Sequence, residues 1–332
     1  ENTYLLDKYF NHPHRKFRTI HIAGTNGKGS CSHSLAALLQ AKGYKVGLYT
    51  SPHIKDFRER IRVNSACISE QYVVDFVEKE RTFFEPLHPS FFELTTAMAL
   101  KYFADEHVDI AVIEVGLGGR LDCTNIITPI LSIITNISFD HTQFLGNTLA
   151  SIAAEKAGII KPHIPVVIGE DAPETRAIFL QKAKEQHAPI IFAQDHPEVI
   201  SSQINEQQQG RDYETVHYQH LHCDLEGDYQ EKNMNTVLTA VGVLKSLNID
   251  LTPQLYALQH VAASTYLLGR WMTIQHHPKV VCDTGHNLAG WQYIAQQLKR
   301  QPARHKRIVF GMVDDKDINA VMDLLPQEAL YY

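Results

Sequence analysis

The sequence predicts an α/β protein: a mostly parallel sheet covered by helices, followed by a second, smaller α/β unit. Three observations lead there. Short β-rich runs alternate with amphipathic helical stretches along most of the chain. The runs are near-continuously apolar, as in "VDIAVIEVG" (108–116), which fits strands buried on both faces. After "LLGRW" (267–271) the same rhythm restarts.

Taken in order, "NTYLLDKYF" reads as a helix without a preceding methionine. "FRTIHIAG" (17–24) is a strand ending in glycine, and "SCSHSLAALLQAKG" is the helix after it. "KVGLYT" (45–50) is a strand, 90–107 a helix, and 108–116 and 129–138 are strands. A helix over about 147–160 precedes the strand "IPVVIG". The stretch 200–228 is polar, glutamine-rich and irregular, either a weaker sheet or a long connection. The helix "KNMNTVLTAVGVLKSLN" closes this half. The second unit reads "KVVCDTGHN" (strand), "LAGWQYIAQQLKR" (helix), "RIVFGM" (strand) and "INAVMDLL" (helix). The expected domains are therefore 1–268 and 271–332, the latter partial because "LLPQEALYY" ends where a strand begins. Both ends read as cut.

A length of 332 residues favours two domains. An apolar share of 44% with 20% charged residues is that of a soluble globular protein. A net charge of −6 without a basic block excludes a nucleic-acid surface. No apolar run is long enough to span a bilayer, and no signal-peptide pattern opens the chain. Cys31, Cys67, Cys123, Cys223 and Cys282 are scattered without a C-x-x-C pair, so neither a disulfide framework nor a zinc knuckle is expected. Reduced thiols and a cytoplasmic location follow.

The chemistry-bearing stretch that stands out first is "HIAGTNGKGS" (21–30). It departs from G-x-x-x-x-G-K-[ST]: Ile22 stands at the first glycine, and Gly29 separates Lys28 from Ser30. Its place between a strand and a helix is nonetheless that of a phosphate loop. Gly24, Gly27 and Gly29 allow backbone N–H groups to converge on an anion, the helix N-terminus adds its dipole, and Lys28 adds charge. The bland alternative is a plain turn. Glu114 ends a parallel strand beside "GLGG", where a Mg²⁺ ligand belongs. Asp140 and His141 follow another strand. A lone Asp-His pair is more often structural, but three strand ends facing one crevice favour function. Lys156 lies on the stripe Leu149, Ile152, Ala153 and Ile160. Such a lysine either snorkels to water or is a buried amine with a depressed pKa. In "CDTGHN", Asp283, His286 and Asn287 follow a strand of the second unit. Kinase and ligase chemistry both fit these residues.

Together the stretches resemble the folylpolyglutamate synthase/dihydrofolate synthase family, within the larger Mur ligase superfamily. "HIAGTNGKGS", "GLYTSPHIKDFRERIRVN", "SFFELTTAMA", "IEVGLGGRLDCTN", "SFDHTQFLGNTLASIAAEKAGIIK", "LLGRW" and "CDTGHN" occur in the family's order across essentially the whole chain. The resemblance implies a P-loop-type ATPase domain with a Rossmann-like C-terminal domain. It also implies an ATP-dependent amide ligase, in which a phosphorylated pterin carboxylate is attacked by the amine of L-glutamate. Folate, dihydropteroate or both would be substrates, and the protein would be a monomer without nucleic-acid or membrane partners.

Carried over by position, Gly24, Thr25, Asn26, Gly27, Lys28, Gly29 and Ser30 would hold the ATP phosphates. Asn233, Arg270 and Asp283 would contact the nucleotide, with Gln230 standing where the superfamily has Asn. Ser51, Glu114 and His141 would bind magnesium, and an N6-carboxylated Lys156 would join His141 at a second ion. Ser90, Phe91, Phe92 and Glu93, with Leu121, Asp122 and Cys123, would line the pterin pocket. Lys28, Asp122, His141, Lys156 and His286 would act near the reacting groups, His286 on the glutamate side. The rival readings are a P-loop phosphotransferase or NTPase switch, and a binding module without catalysis. The second α/β unit speaks against the first, and intact Lys28, Glu114 and His141 against the second.

Overall fold

In the computed structural model, residues 1–313 and 318–332 are described. The helix α1 (Asn2–Tyr9) leads into β1 (Arg18–Ala23), α2 (Lys28–Ala41) and β2 (Val46–Tyr49). An antiparallel ribbon of β3 (Ile61–Val63) and β4 (Ala66–Cys67) turns back, before α3 (Glu70–Phe84) and α4 (Phe91–Asp105). Next come β5 (Ile110–Glu114), β6 (Leu131–Ile134), α5 (Thr142–Leu145) and α6 (Leu149–Ala157). β7 (Val166–Ile168), α7 (Pro173–Glu185) and β8 (Ile190–Phe192) complete the large sheet.

That sheet runs β4-β3-β2-β5-β1-β6-β7-β8. From β2 to β8 all neighbours are parallel. Alternation along the strands sorts side chains to two faces. Ile20, Ile22, Leu48, Val112 and Ile133 share one core with Leu35, Leu38 and Leu39 of α2. On the other face Ile113 and Ala111 pack with Met98 and Phe103 of α4, and Ile134 and Ile168 with Ala153 of α6. The parallel, doubly covered sheet is therefore as the apolar runs predict.

The polar stretch resolves to the weaker sheet: β9 (Val199–Asn205), β10 (Gly210–Thr215) and β11 (His220–Cys223), antiparallel in the order β11-β10-β9. α8 (Gln230–Ser246) then returns across the first core, where Val237, Leu238 and Val241 are buried, and α9 (Val261–Thr265) follows. The C-terminal unit holds β12 (Met272–His276), β13 (Lys279–Cys282), α10 (Leu288–Arg300), β14 (Arg307–Ile308), α11 (Ile318–Met322) and β15 (Leu330–Tyr331). Its small core gathers Trp271, Trp291, Ile294 and Val321.

Several elements escape the sequence reading. The β3–β4 ribbon is too short to show alternation. α7 buries only Thr175, Phe179 and Ala183, a stripe too narrow to stand out in a polar segment. β12 is largely exposed, and "RIVFGM" is extended in a ladder only over Arg307–Ile308. Among the described residues no helix is long and apolar enough to cross a membrane.

Candidate active site

β1 lies between β5 and β6, so three parallel strands end side by side at one crevice. The chain leaves β1 towards β2 on one flank and returns to β6 on the other, the switch point where open α/β sheets bind ligands. A cleft of about 450 Å³ opens there, bordered by the loop after β1, the ends of β5 and β6, α8 and the C-terminal unit.

The loop after β1 is held from both sides. Gly24 takes φ 145° and Gly27, at the N-cap of α2, takes φ 86°. The Asn26 N–H donates to Asn136 Oδ1 (2.9 Å), and the Thr135 hydroxyl donates to the Asn26 carbonyl (2.5 Å). Thr25 exchanges hydrogen bonds with the Ser138 backbone at 3.0 and 3.1 Å. A Cβ on Gly24 would stand 1.8 Å from Thr135 Oγ1, and one on Gly27 2.2 Å from Asn233 Oδ1. We therefore expect Gly24→Ala to cost about 1–3 kcal/mol by overpacking and to weaken ADP binding. Thermal denaturation and nucleotide titration check this, and an unchanged melting temperature would show that the loop can yield.

The titratable groups of the cleft perturb one another. Lys28 Nζ donates to the carbonyls of Gly24 (3.0 Å) and Thr25 (3.1 Å). Lys156 Nζ, buried on α6, donates to the same Gly24 carbonyl (2.8 Å). Burial first, and then the Lys28 charge, lower the Lys156 pKa to about 7, against the pull of Asp140 and Asp122. Of the stripe foreseen for this lysine, Ile152 and Ala153 are buried on α6 and Ile160 in the turn beyond it, while Leu149 at the helix start is half-buried. Glu114, at the end of β5, is buried, and burial raises its pKa although Lys28, the Ser51 amide and Arg270 oppose this. The Ser51 N–H donates to Glu114 Oε2 (3.2 Å), placing Ser51 against the carboxylate. His141 stands at the mouth with φ 48° and its Nε2 3.8 Å from Asp140 Oδ1.

Among the described residues no group of three or more His, Cys, Asp or Glu side chains forms a ready metal cage. Mg²⁺ does not require one, since it takes one or two protein oxygens and fills its octahedron with water and phosphate. Glu114 fits that donor set: a desolvated carboxylate with a hydroxyl residue beside it.

α8 and the C-terminal unit close the cleft. Asn233 is held by Gln230 Oε1 (2.8 Å), and Gln230 Nε2 donates to Ser30 Oγ (3.1 Å), so glutamine at 230 still reaches the loop. Arg270 donates to Gly269 O and the Thr284 hydroxyl, and its Nη2 lies 3.1 Å from where a Gly29 Cβ would be. The Asp283 carboxylate accepts from Tyr229 Oη (2.6 Å), Trp271 N (2.8 Å) and Gly285 N (2.7 Å), which ties α8, the linker and β13 together. His286 Nε2 is 3.3 Å from Asp140 Oδ2.

The residues expected around the pterin sit beside this cleft and not in its lining. Ser90 and Glu93 form a reciprocal capping box on α4, at 3.2 and 2.7 Å. Phe92 packs against Gly116, while Phe91 and Leu121 are exposed and the Arg60 guanidinium lies over the Phe91 ring at 5.2 Å. Cys123 is half-buried, and burial raises its pKa to about 11. Asp122 accepts from Gly116 N, Leu117 N, Thr124 N and Thr124 Oγ1, so its carboxylate shapes the glycine-rich turn. Behind it, buried His21 reaches Thr124 Oγ1 at 2.8 Å, and burial lowers its pKa to about 3, which keeps it neutral.

Thr135, Asn136, Ser138 and Tyr229 escape the sequence reading although they fix the loop and Asp283. "IITNIS" does carry a signal, polar residues at the C-terminal end of a parallel strand. Tyr229 carries none.

The Mur ligase middle domain model matches residues 22–241. The dihydrofolate synthase/folylpolyglutamate synthase of Bacillus subtilis is 36% identical over 315 residues, covering 92% of this chain and 73% of that protein. A solved FPGS–AMPPCP–folate complex superposes with a TM-score of 0.89 at 35% identity, over 97% of this chain and 81% of that one. The ADP complex of Mycobacterium tuberculosis folylpolyglutamate synthase gives 0.87 at 32%, over 98% and 75%. With the glycine loop, the buried lysine and the acid at β5 arranged on this fold, the chain belongs to the folylpolyglutamate synthase/dihydrofolate synthase family of Mur ligases.

Proposed function

We propose that this chain joins L-glutamate to folates, and to dihydropteroate, in an ATP-dependent reaction through an acyl phosphate. The observation that carries it is the crossing of Lys28 and Lys156 on the Gly24 carbonyl, opposite Glu114, at the ends of three adjacent parallel strands. Two amines and a buried carboxylate thus border the same cleft. Relatives across most of the chain carry these activities in their names.

A carboxylate is a poor electrophile, and phosphorylation gives it a good leaving group. The loop from Gly24 to Ser30 holds the ATP phosphates through the N–H groups of Gly27 to Ser30, those of Thr25 and Asn26 being committed to Asn136, and Lys28 swings from its carbonyls to the transferring oxygens. Glu114 and Ser51 would hold one Mg²⁺, and His141 with an N6-carboxylated Lys156 a second. Bound Mg²⁺ supplies charge neutralisation on the phosphate oxygens. Asn233, Arg270 and Asp283 border the nucleotide, the last by fixing the linker. Ser90 to Glu93 and Leu121 to Cys123 flank the pterin, with Asp122 holding the Gly116–Leu117 turn. His286 serves the glutamate side.

Residues 1–268 form the nucleotide and pterin domain and 271–332 part of the glutamate domain, in a monomeric cytoplasmic protein. Closure of the two excludes water from the acyl phosphate. The test is ADP release with dihydropteroate or tetrahydrofolate, each with and without glutamate. Release that needs both pterin and glutamate is expected. Turnover indifferent to both would make the chain an NTPase and overturn the ligase reading.

A further inference from the structure

We propose that Asn26 and Asn287 form a clasp that couples seating of the phosphate loop to docking of the C-terminal unit, making Asn287 a positioning residue. The role in catalysis rests on the ligase reading; the coupling itself does not. Asn287 is 4% exposed, and its carboxamide makes four hydrogen bonds. Its Nδ2 donates to Asn26 Oδ1 (2.9 Å) and to Asp140 Oδ2 (3.1 Å). Its Oδ1 accepts from Asn26 Nδ2 (3.1 Å) and from Gly290 N (2.9 Å), the last capping α10. An amide has two donors and two lone pairs, so the group is saturated. Three of the four bonds cross to the loop and to Asp140, in the segment after β6.

A buried amide is tolerable only when its partners are all present. Those partners exist only when the C-terminal unit is docked and the loop holds one shape. Asn26 meets Asn287 in one loop shape, the one in which its N–H donates to Asn136 and its carbonyl accepts from Thr135. A nucleotide that settles the loop therefore completes the partner set and favours docking, and docking favours the nucleotide by reciprocity. A neutral amide pair suits this position, since a carboxylate at the loop tip would repel phosphate. Asn287 is followed by α10 and preceded by His286 and Asp283, so the clasp sets where those residues stand relative to the loop.

The test uses the full chain with Asn287→Ser, which keeps an N-cap oxygen but is too short for Asn26, and Asn287→Asp, which keeps the cap but loses the donor. ADP affinity and the ADP-induced change in a fluorescence distance between the two units are read without turnover. Both variants are expected to lose the distance change and to bind ADP about tenfold more weakly, within the usual range of coupling. In the ligase assay the glutamate KM rises while the pterin KM holds. Asn26→Ala combined with Asn287→Ser does no more harm than the worse single change. Additive losses, or an ADP response like that of the unmodified chain in either variant, would overturn the clasp. A chain that closes on ADP but forms no amide would overturn the ligase reading alone.

Discussion

Lys28→Ala is expected to lower turnover by at least roughly 10²–10³-fold, the scale of removing one donor from a developing oxyanion, while the protein stays folded. Lys28 opens α2 and, among the described residues, its ammonium donates to the Gly24 and Thr25 carbonyls at the cleft and packs in no core cluster. Its removal also takes away the second-largest cause of the lowered Lys156 pKa. The neutral form of that amine then becomes rarer at neutral pH, which compounds the loss. ADP formation and a circular-dichroism melt measure the two sides. Near-normal turnover would exclude this loop as the ATP site.

The second large effect is expected at Lys156. Burial pushes the pKa of its amine down from the ordinary lysine value of 10.5 to about 7, so above pH 7 it is mostly neutral. A folded pKa below the unfolded one means that the unfolded chain binds more protons between these values. Stability therefore rises with pH from about 7 to 10.5 and falls back over the same window as pH drops, levelling off below 7 where both states hold the proton. Only the neutral amine attacks CO₂. On carboxylation the N–C bond would form, one proton would leave to solvent, and the carbamate would keep an N–H able to donate to the Gly24 carbonyl. Its oxygens suit a hard cation. Lys156→Ala should cost activity on the order of 10²-fold, by analogy with a lost stabilising group, with partial rescue by formate or acetate. A ¹³C-carbamate resonance that grows as pH rises through 7 is the direct signature. Full activity in the alanine variant would end the proposal.

The parts legible in the sequence are those whose signal is local. A strand, a glycine turn and a helix follow one another in residues 17–41, so the phosphate loop shows itself, and Glu114 ends an apolar run that can only be a buried strand. Lys156 is legible as a charge on a buried stripe. What stays hidden is pairing between distant segments. Nothing near Asn287 says that it meets Asn26, and nothing near Tyr229 says that its hydroxyl reaches Asp283. "SFFE" carries two messages, since S-x-x-E before an apolar run also spells a capping box, and Ser90 and Glu93 do use their side chains that way. The edge ribbon gave no periodic signal because its strands span only three and two residues, and β12 because it buries little.

The central position of β1 has a bearing on how the molecule opens and recloses. Hydrogen exchange in a sheet is slowest where a strand is paired on both sides, and fastest at edges and small satellite cores. β1 is flanked by β5 and β6, whereas β4 and β8 are edges and the C-terminal unit rests on a small core of its own. The Gly24–Lys28 turn thus hangs from the amides expected to exchange last, whereas Arg270, Asp283 and His286 border the cleft from the part expected to exchange first. Fluctuation is expected to be partitioned, with the glycine loop outlasting partial openings that release the C-terminal unit.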